Sequence, residues 1–447
     1  MLPTTSQMAE HLAGMVRFPT VSYADEDRMD FSVFRDLHQY LEKTYPLLHK
    51  TLKKELIGRA ALLYKWEAKK TCGKLPLLLM AHQDVVPEGN ADAWRFPPYS
   101  GTIAENAVWG RGSMDCKSLM MGELEAVEAL IRDGFEPDFD LYLAFGYNEE
   151  VGTTTEFPSA KLIAEKLAAR GVKLGVVVDE GGQMQAGMYG GLSGTMAYIA
   201  VSEKGTATYE LYKEGKGGHP IKAGKENIMA DVAKAVTRIA EYPRPYRIIP
   251  EMAEQYRILA PYMGELEPVY ADIKNHRDEL AHILETENPL TVAKFQTTMA
   301  MTQCFASPNP SLLPTRVSVV FNVRMHLPDT AESMLQEYRE AIRDIDGVKI
   351  RMLIGRSPSE SSEIDCDDYR TMEKAIKDLY PEVTVLPSVC IGGTDAYFMH
   401  GICDHVYRFS GAVGSKENGP SHAPNEKFMF DNIEAIPKFF YHYITMY

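Results

Sequence analysis

No apolar run in the sequence approaches the ~20 residues that a membrane-crossing helix requires, so no anchor is expected. The N-terminus, Met1 to Ala13, is polar and mildly acidic and has no cationic stretch leading into an apolar core, which removes the secretory-leader pattern and makes the cytoplasm the expected compartment. Positive charge is also scarce: the formal net charge is -15, and the short basic pairs Lys53-Lys54 and Lys69-Lys70 each have a glutamate close by, Glu55 and Glu67. Tyr64 and Trp66 lie between those pairs, a pattern of ordinary amphipathic surface rather than of a base-stacking groove. Nucleic acid is therefore not an expected partner. The six cysteines (Cys72, Cys116, Cys304, Cys366, Cys390, Cys403) include no Cys-x-x-Cys pair, which excludes both a disulfide framework and a thiolate zinc site and leaves reduced thiols. Internal repeats and low-complexity tracts are absent too.

What remains is an ordinary globular composition, 45% apolar and 24% charged, over 447 residues, enough for two or three domain-sized units. The first half alternates strand and helix patterns. An amphipathic stretch around Phe34 to Leu48 precedes the apolar run Leu75 to Ala81, which reads as a strand buried on both faces. The spacing predicts a helix over Lys117 to Arg132 stopped by Gly134, a strand at Leu141 to Tyr147, a helix at Ser159 to Arg170 ending at Gly171, and a strand at Leu174 to Val178. Such alternation argues an α/β fold, a mostly parallel sheet sandwiched by helices. After Val201 the texture changes: Thr206 to Tyr212 and Val317 to His326 alternate polar and apolar residues, with a helix pattern at Asn227 to Ala240 between them. A smaller α+β domain is expected over residues 202–354, carrying an insertion at about 242–300 without a clear strand and helical around Asp272 to Glu285. Helix (Asp368 to Leu379), strand (Val383 to Leu386) and a final helix (Ile433 to Tyr443) then return the chain to the first sheet. The first domain would be discontinuous, 1–201 with 355–447.

Metal-ligand residue types gather where these strands end, the edge at which open α/β sheets build their sites. In Met80-Ala-His-Gln-Asp-Val-Val-Pro87, His82 and Asp84 have the i, i+2 spacing that turns both side chains to one side of an extended segment. There the carboxylate can fix the imidazole tautomer, although a polar strand end with a satisfied histidine reads the same. Asp115 stands in Trp109-Gly-Arg-Gly-Ser-Met-Asp-Cys-Lys117, where it takes the third glycine position of a dinucleotide loop, so phosphate would meet a carboxylate. A helix cap is its simpler role. Gly146-Tyr-Asn-Glu-Glu-Val-Gly152 brings two adjacent carboxylates out of an apolar strand, either as a solvated turn or as one metal ligand beside one general base. Val176-Val-Val-Asp-Glu-Gly-Gly182 repeats the device, and Ser421-His-Ala-Pro424 supplies a second histidine. Together these residues suffice for two divalent ions ~3.5–4 Å apart sharing one carboxylate. Two 2+ charges against three ligating carboxylates and a hydroxide sum to zero, which limits the cost of burial. Rival apparatus is missing: Gly191-Leu-Ser-Gly-Thr195 lacks the closing glycine of a nucleophile elbow, and no cysteine is obviously paired with a histidine.

The set Ala81-His-Gln-Asp84, Trp109-Gly-Arg-Gly-Ser-Met-Asp115, Asn148-Glu-Glu-Val-Gly152, Val178-Asp-Glu-Gly-Gly182 and His422 resembles the M20 metallopeptidase family, in its carboxypeptidase S and N-acyl amino acid hydrolase branch. The resemblance spans nearly the whole chain. It implies two zinc ions, with cobalt or manganese as substitutes: His82 and Asp179 on one, Glu150 and His422 on the other, Asp115 bridging, Glu149 as general base and Asp84 orienting His82. Asp179 is favoured as the fourth ligand over its neighbour Glu180. The peptide after the bridging aspartate is often cis in this family. The smaller domain would act as lid and homodimer interface. His219, in Gly218-His219-Pro220, would reach the substrate carbonyl, Arg324 would fork onto the substrate carboxylate, and Gly393, in Gly392-Gly393-Thr394-Asp395, would let backbone approach the ligand. The implied reaction is hydrolysis of an amide next to a free carboxylate in a small peptide. An aminoacylase acting on N-acyl amino acids is the alternative, and a non-catalytic metal- or peptide-binding protein is the alternative of another class.

Overall fold

Leu77–His82 is apolar throughout because its alternate residues enter different cores. Leu77, Leu79 and Ala81 pack with Leu124, Val127 and Ile436 on one face of a sheet, while Leu78 and Met80 pack with Ile163, Leu167 and Met399 on the other. Leu141–Gly146 and Leu174–Asp179 divide their residues in the same way, each buried leucine or valine contributing ~1.5–3 kcal/mol. The computed structural model describes all residues of the chain except 71–72, 153, 187–193, 223, 225–226, 288 and 415–416.

Among the described residues the large sheet has ten strands. Its centre runs Leu141–Gly146, Leu77–His82, Leu174–Asp179, Cys403–Arg408, all parallel. Ala61–Trp66 and Lys53–Ile57 extend one side antiparallel, and Thr195–Glu203 adds to the other, pairing parallel with Thr384–Cys390. Strands from before residue 204 and after residue 357 thus share one sheet. Helices Lys117–Arg132 and Phe430–Met446 lie together on one face. Gly122 permits their close approach, since a Cβ there would collide with Ile436.

A second sheet is wholly antiparallel, in the order Thr298–Phe305, Arg316–Met325, Gly205–Glu214, Lys349–Arg356. Helices Ile228–Ala240 and Ala331–Ala341 cover one face of it through Tyr209, Phe321 and Tyr338. The 242–300 insertion departs from expectation in two respects. Its last residues open the edge strand at Thr298, and its helices Pro250–Leu259, Glu267–Ala271 and Arg277–Thr286 do not bury their apolar faces on the small sheet. Met252, Tyr256, Leu259, Tyr270, Leu280 and Phe295 instead form one cluster with Met196, Tyr198, Leu386 and Val389 of the large sheet, because those strands expose an apolar flank that the covering helices elsewhere leave bare. No helix among the described residues is long and apolar enough to cross a membrane.

Helix Lys117–Arg132 buries three glutamates. Glu125 accepts the Tyr45 hydroxyl at 3.1 Å and Glu128 accepts the Leu48 N–H at 2.7 Å. Neither oxygen of Glu123 has a partner among the described residues, and burial, then the charge of Asp179, pushes its carboxyl well above the ordinary range. A carboxyl raised on folding contributes fully below its unfolded pKa of ~4.3, and that contribution is lost as pH rises toward the folded value. Glu123→Gln removes the titration. Calorimetric melting should show the variant gaining on the wild type at about pH 8 relative to about pH 5; a difference that does not change with pH would contradict a neutral Glu123.

Candidate metal centre

The parallel register brings the acids to one edge. His82 stands opposite Gly146, and Asp179 opposite Arg408, so the turn Glu149–Val151 and the pair Asp179-Glu180 leave the sheet beside His82. Asp84, fully buried, organises this edge. Its carboxylate accepts the backbone N–H groups of Glu149 (3.1 Å) and Glu150 (3.2 Å) and the Ser22 hydroxyl (2.6 Å). The His82 Nδ1 lies 3.0 Å from the Asp84 carbonyl oxygen and 3.4 Å from its carboxylate, so backbone and side chain of one residue both orient the ring. With Nδ1–H donated there, Nε2 faces the site.

The Asp115 loop is shaped by glycine and by a residue that sequence reading missed. Gly110 and Gly112 have φ of 145° and 83°, and a Cβ on Gly110 would lie 2.8 Å from the Pro98 carbonyl oxygen. Glu426 is buried beneath the loop. It accepts the Met114 N–H at 2.9 Å and the Asp115 N–H at 3.3 Å while pairing with the buried Arg111. The same glutamate follows His422 by four residues, which ties the two ligand-bearing loops together. A lone arginine in a glycine loop was the available signal, since a buried guanidinium demands a carboxylate. The Asp115-Cys116 peptide is cis.

Two clusters result, and they share Asp115. His82 Nε2 lies 3.1 Å from Asp115 Oδ1 and 3.5 Å from Glu180 Oε1. His422 Nε2 lies 3.1 Å from Asp115 Oδ2 and 2.9 Å from Glu150 Oε2, with His422 in left-handed backbone at φ 58°. Cys116 also belongs to the first cluster, but its sulfur accepts the His82 N–H at 3.2 Å, and burial pushes the thiol well above its usual pKa. Burial likewise raises Glu180, Glu149 and Glu150, reinforced by the negative charges they turn toward one another. Burial opposes charge on Asp115 as well, yet hydrogen bonds from His422 and His82 hold it below the usual carboxylate range. Asp115 and Glu150 in turn lift His422 to about 10. The site is thus rich in anions and short of cations.

Some expected residues sit elsewhere. Asp179 does not face His82: its two oxygens accept the N–H groups of Glu180 and Ala396, each at 2.8 Å, which leaves Glu180 as the carboxylate that turns inward. His219 is exposed, its Nδ1 accepting the Ile221 N–H at 3.2 Å, and Arg324 is exposed on the small sheet, donating to Asn322 at 3.1 Å. Neither joins the two clusters among the described residues. At Gly393 the position of a Cβ is already filled by Arg356, so the glycine makes room for a guanidinium of the protein itself. Gly191, Leu192 and Ser193, set aside above as an incomplete nucleophile elbow, lie outside the described residues, as does Cys72.

The pattern of the peptidase family M20/M25/M40 matches residues 78–446. The chain is 29% identical over 440 residues to a Xenopus tropicalis protein named N-fatty-acyl-amino acid synthase/hydrolase PM20D1, covering 97% of this chain and 84% of that one. It is 28% identical to carboxypeptidase S of Saccharomyces cerevisiae, covering 90% and 77%. In fold it is similar to the M20 family metallo-carboxypeptidase Sso-CP2 of Sulfolobus solfataricus, with a TM-score of 0.73 at 19% identity over 98% of each chain. A family match running from the central strand to the last helix, over a site built of histidines and carboxylates, makes this chain a member of the M20/M25/M40 peptidases and a metal-dependent hydrolase.

Proposed function

We propose that this chain hydrolyses an amide bond adjacent to a free carboxylate, as a carboxypeptidase or dipeptidase on small peptides, with two divalent cations at the paired clusters. The observation that carries this reading is the division of Asp115, one oxygen 3.1 Å from His82 and the other 3.1 Å from His422. His82 and Glu180 would hold one cation, Glu150 and His422 the other, with Asp115 between them. The donors fit: Glu150 Oε1 is buried without a hydrogen-bond partner among the described residues, and burial pushes the carboxyls of Glu150 and Glu180 toward their neutral forms. Imidazole with carboxylate suits zinc and also admits cobalt or manganese. When bound, such ions polarise a carbonyl and lower the pKa of water toward neutrality.

Glu149 stands outside both clusters, its Oε2 4.0 Å from His82 Nε2. Burial, together with the charges of Glu180, Asp395 and Glu150, raises its carboxyl well above the ordinary range, which suits a group that takes a proton from water and returns it to the leaving nitrogen. Asp84 supports that role by fixing the Glu149 backbone. His219 enters this reading through a second copy of the chain, with the small sheet as the homodimer surface and the substrate carbonyl as its partner, whereas Arg324, expected on the substrate carboxylate, lies exposed on that sheet and donates to Asn322. A second reading, an N-acyl amino acid deacylase, draws on a cavity of about 360 Å³ next to Asp115 and Glu180, walled by Leu119, Tyr198, Val389, Phe428 and Ile436, which would accept an apolar acyl chain. A purely metal-binding protein would have no use for Glu149, a half-buried carboxylate that belongs to neither cluster.

Purified protein with added zinc should release free amino acid from dipeptides or N-acyl amino acids, and a chelator should abolish the release. Glu149→Gln should lower kcat by about 10²–10⁴-fold with metal content unchanged; near wild-type turnover would remove Glu149 from the mechanism. Metal analysis separates the neighbouring acids. Glu180→Ala should lose about one of two bound ions, whereas Asp179→Asn should keep both and lose thermal stability instead. The reverse pattern would restore Asp179 as the ligand.

A further inference from the structure

Lys294 is the only basic side chain among the described residues that line the cavity opening on Asp115 and Glu180. It belongs to no recognisable motif and comes from the insertion, just after the helical turn Pro289–Ala293. Its backbone is firmly held. The Lys204 ammonium donates to the carbonyl oxygens of Ala293 (2.8 Å) and Gln296 (2.7 Å), the Arg247 N–H donates to Phe295 O at 2.6 Å, and the Phe295 ring is buried against Tyr256. The side chain then runs into the cavity between two residues of the large sheet. Its Nζ donates to the Ser388 hydroxyl at 3.1 Å and lies 5.0 Å from the centre of the Tyr198 ring.

Buried Lys204 and half-buried Lys294 differ in how they use their ammonium hydrogens. Lys204 Nζ spends its hydrogens on two carbonyl oxygens, which makes it a strut. Lys294 Nζ has one hydroxyl and a ring face for its three donors, and no carboxylate forms an ion pair with it among the described residues. Burial pushes its pKa down to about 8, so it remains largely cationic at neutral pH while lacking a counterion. A cation carried on a firmly held segment, in the same cavity as two of the metal-ligand carboxylates and the apolar side chains of Leu119, Val389, Phe428 and Ile436, is arranged to receive an anion that arrives with an apolar body.

We infer that Lys294 receives the substrate carboxylate in this cavity and so selects amides whose apolar portion ends in an anion. The assignment rests on the hydrolase reading for the position of the scissile amide beside Asp115 and Glu180. It differs from the role expected of Arg324, which lies exposed on the small sheet and bonds Asn322.

The test is direct binding in a zinc-loaded Glu149→Gln background, where turnover is suppressed, with N-acetyl-L-methionine and its C-terminal carboxamide as probes in titration calorimetry. The acid should bind about 10- to 100-fold more tightly than the amide, the range of one charge-assisted hydrogen bond. Adding Lys294→Met, which keeps the apolar stem, should bring the two affinities within about twofold, Lys294→Gln should do the same, and Lys294→Arg should keep most of the preference. Melting curves of each protein identify any variant that has not folded, and the remaining variants then decide. An acid preference that survives in Lys294→Met or Lys294→Gln, equal binding of acid and amide to the parent, or binding of neither probe would overturn the assignment. Turnover by the protein with Glu149 intact is scored separately. Its absence on peptides and N-acyl amino acids would sink the hydrolase reading while leaving the binding result standing, and turnover with acid preference intact in Lys294→Met would do the opposite.

Discussion

Like-charge repulsion at the end of one parallel sheet is the constraint on which the rest of this structure depends. Asp84, Asp115, Glu149, Glu150, Asp179, Glu180 and Glu426 crowd into one buried region, and seven carboxylates cannot share a low-dielectric volume without compensation. The protein divides them. Asp84, Asp179 and Glu426 spend their oxygens on backbone N–H groups, with Ser22 and Arg111 adding to the first and last. Asp115, Glu149, Glu150 and Glu180 face one another and two imidazoles. The first group builds loops; the second is left with charge to offer. The division separates Asp179 from Glu180, which adjacency in the sequence could not do.

The same economy of buried charge joins the two sheets. Glu203 ends a strand of the large sheet and Gly205 begins the small one. Its carboxylate takes Arg408 Nε at 3.0 Å, Arg356 Nη2 at 3.0 Å, and the Thr394 N–H and hydroxyl, both at 3.0 Å. Arg356 is the last residue of the small sheet's final strand and occupies the space that Gly393 leaves open. Both connections between the sheets and the Gly392–Asp395 loop therefore converge on one buried glutamate, and Lys204 extends the junction to the insertion. The position of the small sheet, the loop beside Asp395 and the segment carrying Lys294 are mechanically one unit.

Much of this was legible beforehand where the signal was local. The helix at Lys117–Arg132 has the bounds its 3.6-residue periodicity predicts, and the apolar runs before His82, Gly146 and Asp179 are parallel strands buried on both faces. Strand ends, glycine loops and residue type point alike to His82, Asp115, Glu150 and His422, and these residues do come together. The i, i+2 spacing points to Asp84 as well, although its carboxylate serves the Glu149–Glu150 backbone more directly than the His82 ring. Ser22 and Lys294 carry no signal in the sequence, and Glu426 is announced only indirectly by Arg111: each acts on a partner that is distant in sequence, and none has a spacing that periodicity can register.

The sequence by itself determined the elements, their α/β order and the residue types available to bind metal, because these follow from short-range periodicity and from the chemistry of single side chains. Tertiary structure decided which of two adjacent acids turns inward, which sheet the insertion packs against, and what fills the space at Gly393. Those outcomes depend on which backbone N–H or guanidinium arrives from a remote segment. A carboxylate becomes a loop anchor or a group turned into the site according to that arrival, and a linear chain does not encode it in any local pattern.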